Sequence, residues 1–230
     1  MEKIGKYQLL ETVGKGAMGE IYKAHDEIID RTVAIKVIHA HFVEDELWES
    51  LKERFQQEAR AAARCFHPNI ITIFDFGIEN DTPYLVMEFV QGQDLKEQLK
   101  SSGKFSIDEA INIMALVLDG LHCAHESGVI HRDIKPANII QLNNKQIKLT
   151  DFGIARVEAS DLTAVGDMVG TPVYMSPESM RGDQVDARAD IYSVALVFIE
   201  LVTGEKPITG FIDNQSLREA FKKHQICTQK

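Results

Sequence analysis

Three features of this 230-residue sequence predict an α+β fold, a strand-rich N-terminal lobe followed by a helical one. The first ninety residues hold short β-branched and aromatic runs between turn signals. After Gly92 the apolar period changes to three and four residues. Near the end, residues 186–203 are almost continuously apolar over the length of a helix.

In chain order, residues 7–13 read as a strand and lead into a glycine-rich turn. Residues 20–25 and 32–38 come next as strands, the second carrying VAIKVI. Residues 47–64 read as a helix, because Leu51, Phe55, Ala59 and Ala62 make one apolar face. His67-Pro68-Asn69 ends it. Residues 70–76 and 83–89 read as strands, and a hinge at 88–92 divides residues 1–90 from 91–230. Residues 94–100 form a short helix capped by Asp94. Residues 106–127 form a long one, with Ser106 and Glu109 as a capping box. The 186–203 helix is expected to be buried on all sides, and 216–226 is a last amphipathic helix.

Composition narrows the function. With 44% apolar residues the chain can fill a substantial core. A net charge of −10 argues against broad nucleic-acid binding, which needs Lys and Arg to replace counterions, but leaves room for a local basic pocket. Cys65, Cys123 and Cys227 have no close pairing and fit the reduced thiols of a cytoplasmic protein. The best membrane candidate, 191–202, is too short and contains Ser193 and Glu200. The first ten residues lack the apolar stretch of a signal peptide.

The motifs carry chemistry. GKGAMG, residues 14–19, has the G-x-G-x-x-G spacing. The next seven residues, EIYKAHD, alternate like a strand, so the loop is either a plain glycine hairpin or one that folds over phosphates. Lys36 sits in an apolar strand and needs an anion, either Glu58 or a nucleotide phosphate. In HRDIKPAN, residues 131–138, Asp133 suits a carboxylate that takes a proton from an acceptor hydroxyl. Lys135 can neutralise a phosphoryl group. Asn138 and Asp151 offer oxygen ligands to Mg²⁺. Pro136 stiffens the loop. His122, Cys123, His125 and His131 read as packing and hydrogen-bonding residues rather than a zinc site. Trp48 either packs the 47–64 helix or anchors a partner.

These segments resemble a Hanks-type serine/threonine protein kinase of the bacterial, eukaryotic-like branch. The resemblance rests on GKGAMGEIYKA (14–24), VAIK (33–36), Glu58, HPNI (67–70), HRDIKPAN (131–138), DFG (151–153), GTPVYMSPE (170–178) and DIYS (190–193). It implies a two-lobed protein-kinase-like fold with ATP and Mg²⁺ between an ATP-binding lobe, 1–90, and a catalytic lobe, 91–230. Nucleotide contacts would come from Val13, Gly14, Lys15, Gly16, Ala17, Met18, Gly19, Glu20 and Ile21, with Glu88 and Val90 on adenine and Met87 as gatekeeper. Lys36 would hold phosphates and pair with Glu58 in the active state. Asp133 and Lys135 would be catalytic, and Asn138 and Asp151 would hold the metal. Arg132 would answer a phosphate on the 151–178 segment, at Thr163, with Thr171 as the structural threonine of that segment. Lys135-Pro136 and Thr171 resemble the serine/threonine branch, so the expected partners are proteins with Ser or Thr acceptors.

Two departures stand out. Ala195 occupies a position where the family often has glycine. The family also continues through further helices, one with an arginine for Glu178, whereas this sequence ends at Lys230. Glu178 is therefore expected to reach water, to take Arg181 or Arg188, or to protonate. Part of the 186–203 helix is expected to stay exposed, inviting self-association or a covering partner. The rival to an active enzyme is a catalytically weak kinase-fold scaffold.

Overall fold

The alternating runs of the first ninety residues become one antiparallel sheet. In the computed structural model, which describes residues 3–16, 19–38, 45–152 and 172–207, six strands lie in the order β1-β2-β3-β4-β6-β5. They are β1 (Lys3–Ile4), β2 (Tyr7–Gly16), β3 (Gly19–Asp26), β4 (Arg31–Ile38), β5 (Ile73–Glu79) and β6 (Thr82–Glu88). The α1 helix (Asp45–Ala62) separates β4 from β5, so the later hairpin docks with β6 inward against β4. The period of two then divides β4. Val33, Ile35 and Val37 bury with Tyr7, Ala24 and Val86. The other face turns Ala34 towards Ile71 and Met87, and puts Lys36 on the same side.

The helical part begins with α2 (Leu95–Ser102), whose cap Asp94 accepts from the Glu97 amide at 2.8 Å. The capping box of α3 (Ile107–Glu126) is complete, with Ser106 Oγ accepting from the Glu109 amide and Glu109 accepting from the Ser106 amide. A short α4 (Pro177–Arg181) precedes α5 (Arg188–Thr203). Apolar faces of α3 and α5, including Val117, Leu121, Val197 and Leu201, share one core with Phe55 and Ala59 of α1. A small sheet, β7 (Gly92–Asp94), β8 (Ile139–Leu142) and β9 (Ile147–Leu149), carries the loops at the junction.

Several elements depart from expectation. β1, the small sheet, α4 and the 3₁₀ turns Pro136–Asn138 and Pro172–Tyr174 are new. Elements of two to five residues offer too few positions for a period to show. The strand expected at 70–76 starts only at Ile73. Before it the chain is drawn to β9, where the Ile71 amide donates to Leu149 O and the Leu149 amide to Asn69 O, both at 2.8 Å. The α5 helix is not buried all round: Ile191 and Ile199 are 48% and 43% exposed, so part of it stays open to water. Glu178 is half-buried; of its candidate arginines, Arg181 pairs with Asp183 and Arg188 with Asp186. The expected 216–226 helix and Cys227 lie outside the described residues. Among the described residues no helix is long and apolar enough to cross a membrane, and no group of three or more His, Cys, Asp or Glu side chains is gathered as a zinc site would need.

Candidate active site

Lys36 reaches from β4 into a cleft beneath the sheet, where its Nζ lies 2.5 Å from Asp151 Oδ1. The cleft wall includes Phe55 from α1, Leu85 and Met87 from β6, and Phe152. Asp151 comes shortly after β9 with φ +58°, a left-handed conformation that ordinary side chains rarely adopt. The preceding residue holds it there, since the Thr150 amide donates to Asn138 O at 3.0 Å. Burial pushes the Asp151 carboxyl upward, but Lys36 outweighs this and holds it below the usual carboxylate range. Lys36 thus pairs here with a carboxylate that its own strand did not single out. Glu58 is half-buried on α1, three residues beyond Phe55.

The HRDIKPAN loop folds on itself, as its close spacing suggests. Asp133 Oδ2 accepts from Lys135 Nζ at 2.7 Å and from Asn138 Nδ2 at 2.9 Å. The Asn138 amide nitrogen also donates to Asp133 O at 2.7 Å, which directs its carbonyl oxygen away from Asp133. Pro136 opens the 3₁₀ turn that brings Asn138 back. His131 is fully buried and stacks 4.4 Å from Phe152, ring centre to ring centre. Its Nδ1 accepts from the Asp133 amide and its Nε2 donates to Thr150 O. Burial pushes the imidazole below its ordinary value despite the pull of Asp190 and Asp133, as this neutral tautomer requires.

Asp190 opens the DIYS segment quoted for the resemblance, but sequence reasoning gave it no role. Fully buried in the first turn of α5, it accepts from the amides of His131 and Arg132, each at 2.8 Å, and contacts His125 Nε2 at 2.8 Å. Arg132 has φ +64°, so these bonds hold a turn the chain would not adopt alone. A signal was available, since an acid shares the helical face of Val194, Val197 and Leu201.

The glycine motif is a hairpin and does not open a helix. Gly16 pairs with Gly19, Lys15 with Glu20 and Gly14 with Ile21. A Cβ on Gly19 would sit 1.8 Å from Val37 O, so only glycine lets β3 approach β4 there. Val13 is half-exposed on the same hairpin. Ala17, Met18, Thr163 and Thr171 fall outside the described residues. Glu88 ends β6, its amide donating to Thr72 O at 2.9 Å and its carboxylate 2.5 Å from Lys148 Nζ. Val90 is half-buried just beyond.

Residues 7–230 match the family model of the protein kinase domain. The chain belongs to the protein kinase domain family. The kinase domain is 40% identical over 207 residues to the serine/threonine-protein kinase PrkC of Bacillus subtilis, covering 90% of this chain and 32% of that protein. It is 41% identical over 212 residues to the probable serine/threonine-protein kinase PknB of Corynebacterium glutamicum, covering 89% of this chain and 32% of the relative. A probable serine/threonine-protein kinase of Bifidobacterium longum, pknA2, is 39% identical over 204 residues, 88% of this chain and 27% of the relative. The kinase domain thus spans about a third of the length of these curated relatives.

Proposed function

We propose that this kinase domain transfers the γ-phosphate of ATP to serine and threonine hydroxyls of proteins, itself included. One observation carries the reading: the Asp133 carboxylate, oriented by Lys135 and Asn138, sits on a loop bonded to the segment that presents Asp151 to Lys36. Those two donors occupy Asp133 Oδ2. Oδ1 is the atom to receive the hydroxyl proton of an acceptor Ser or Thr. Lys135 and Lys36 hold positive charge where phosphoryl oxygens would lie.

The donor chemistry fits Mg²⁺. Asp151 supplies a carboxylate and Asn138 an amide oxygen, both hard ligands of the kind this ion takes. When bound, Mg²⁺ would neutralise charge on the nucleotide's phosphates. The hairpin 13–21 would cover those phosphates with backbone amides, and Glu88, Val90 and Met87 would border the adenine. The division into an ATP-binding lobe, 1–90, and a catalytic lobe, 91–230, belongs to the same proposal. So do Glu58 as the active-state partner of Lys36, an Arg132-linked phosphate at Thr163, a structural role for Thr171, and a cytoplasmic location. Self-association or a covering partner would use the α5 face bearing Ile191 and Ile199, and light scattering would detect it.

The intact set of Lys36, Glu58, Asp133, Asn138 and Asp151 favours turnover over a scaffold role. Radiolabel transfer from ATP to a generic basic protein tests this. Asp133→Asn should lose about 10²-fold or more in rate, the usual contribution of a positioned base. Lys36→Met and Asp151→Asn should also be crippled while remaining folded. Transfer at the wild-type rate by Asp133→Asn would overturn the reading.

A further inference from the structure

Trp48 is the chain's only tryptophan, and none of the phosphotransfer chemistry uses it. It lies on α1 four residues before Lys52, so both side chains face one side of the helix. Each is only 7% exposed. A buried indole N–H and a buried ammonium both need an acceptor. One carboxylate serves the two: Asp81 Oδ2 accepts from Trp48 Nε1 at 3.0 Å, and Asp81 Oδ1 accepts from Lys52 Nζ.

Asp81 is held by backbone geometry as well. It and Asn80 have φ of +63° and +48° and form the two-residue loop between the paired residues Glu79 and Thr82. That is a mirror-image hairpin turn, which aims the carboxylate from the end of β5–β6. The same hairpin grips α1 a second time, where Phe76 of β5 packs 5.5 Å from Phe55. Two points of attachment fix both the direction of a helix and its rotation about its axis. Phe55 walls the cleft beside Lys36, and Glu58 lies one turn further along α1.

We propose that Asp81 is a positioning residue of the phosphotransfer site, clasping Trp48 and Lys52 so that α1 keeps Phe55 in place in the wall of the cleft that holds Lys36. The inference rests on the kinase activity given under Proposed function. Without the clasp the N-terminal half of α1 can turn, and misplacing groups near a reacting centre by about 1 Å costs up to about 10²-fold in rate.

The experiment compares the 230-residue chain with Asp81→Gly, which suits the positive φ of the turn and removes the carboxylate, with Trp48→Phe, which keeps the ring's packing and removes only the N–H, and with the double variant. Peptide phosphorylation and thermal melting are measured on all of them, and tryptophan emission on the two proteins that keep Trp48. Each single variant should lose about tenfold in kcat, with the KM for ATP within about twofold. The double variant should be no slower than the slower single, because both changes break one clasp. Emission of Asp81→Gly should move to the red as the indole loses its acceptor. A purely structural role would lower the melting midpoint and leave kcat of the folded protein unchanged. Wild-type kcat in folded Asp81→Gly, or losses that multiply in the double variant, would overturn the inference and leave the kinase reading standing. Absence of transfer by the wild-type chain would overturn the kinase reading, and this inference with it.

Discussion

Protonating His131 would set two donors against each other. Its Nδ1 now accepts from the Asp133 amide at 3.3 Å, and a second ring proton would point at that N–H. The folded-state pKa is lowered from 6.5, so as pH falls the unfolded chain takes the proton first. This contribution to stability is whole above pH 6.5 and is lost as pH falls from there through the folded value. NMR of the ring nitrogens should find His131 neutral, with the proton on Nε2, at pH 6.5; a ring half-protonated there would contradict the assignment. Asp190 makes a parallel case for a residue that acts through others. Asp190→Ala would strand the His131 and Arg132 amides and the His125 ring, at about 1–3 kcal/mol for each donor left buried without an acceptor. Urea denaturation should show a loss of at least about 3 kcal/mol, with Asp190→Asn milder because one oxygen still accepts.

At the scale of elements, long periodic segments were legible and short ones were not. The capping box of α3 was visible as Ser106 and Glu109, and both of its hydrogen bonds form. Ser106→Ala should therefore cost about 1 kcal/mol, read as a fall in the melting midpoint with no change in kcat. The glycine hairpin was legible as a motif, but its two readings differed only in what covers it. Gly19→Ala should separate the two, because a Cβ 1.8 Å from Val37 O must push β3 off β4. A phosphate-covering loop would lose ATP affinity as well as stability, whereas a plain hairpin would lose stability alone. Isothermal titration with ATP and Mg²⁺ beside a thermal melt distinguishes the outcomes.

Across the whole molecule, the six-stranded sheet is tied to the small sheet by few but specific contacts. Lys148 of β9 pairs with Glu88 at the end of β6 and donates to Ile70 O at 3.2 Å, and both of the paired side chains are largely buried. Lys148→Met would leave the Glu88 carboxylate partly buried without its counter-charge. It should lower stability by about 1–3 kcal/mol and loosen the sheet from the rest of the molecule. Denaturation tracked by tryptophan emission, which reports α1, and by circular dichroism should then give midpoints that diverge, where the wild type gives one.

Among the described residues, the sequence by itself determined the elements whose period runs for seven residues or more, and the local constellation of Asp133, Lys135 and Asn138. Those three residues lie within one turn's reach, so their mutual bonds come from spacing and from Pro136. Only the tertiary structure decided that Lys36 meets Asp151, 115 residues away, that Asp190 holds His131 across 59, and that Asp81 clasps Trp48 across 33. The chain has 35 acidic residues, and no local pattern says which of them a distant lysine or tryptophan will meet. Packing of the long elements makes that choice, because it alone sets which donors and acceptors come within bonding distance.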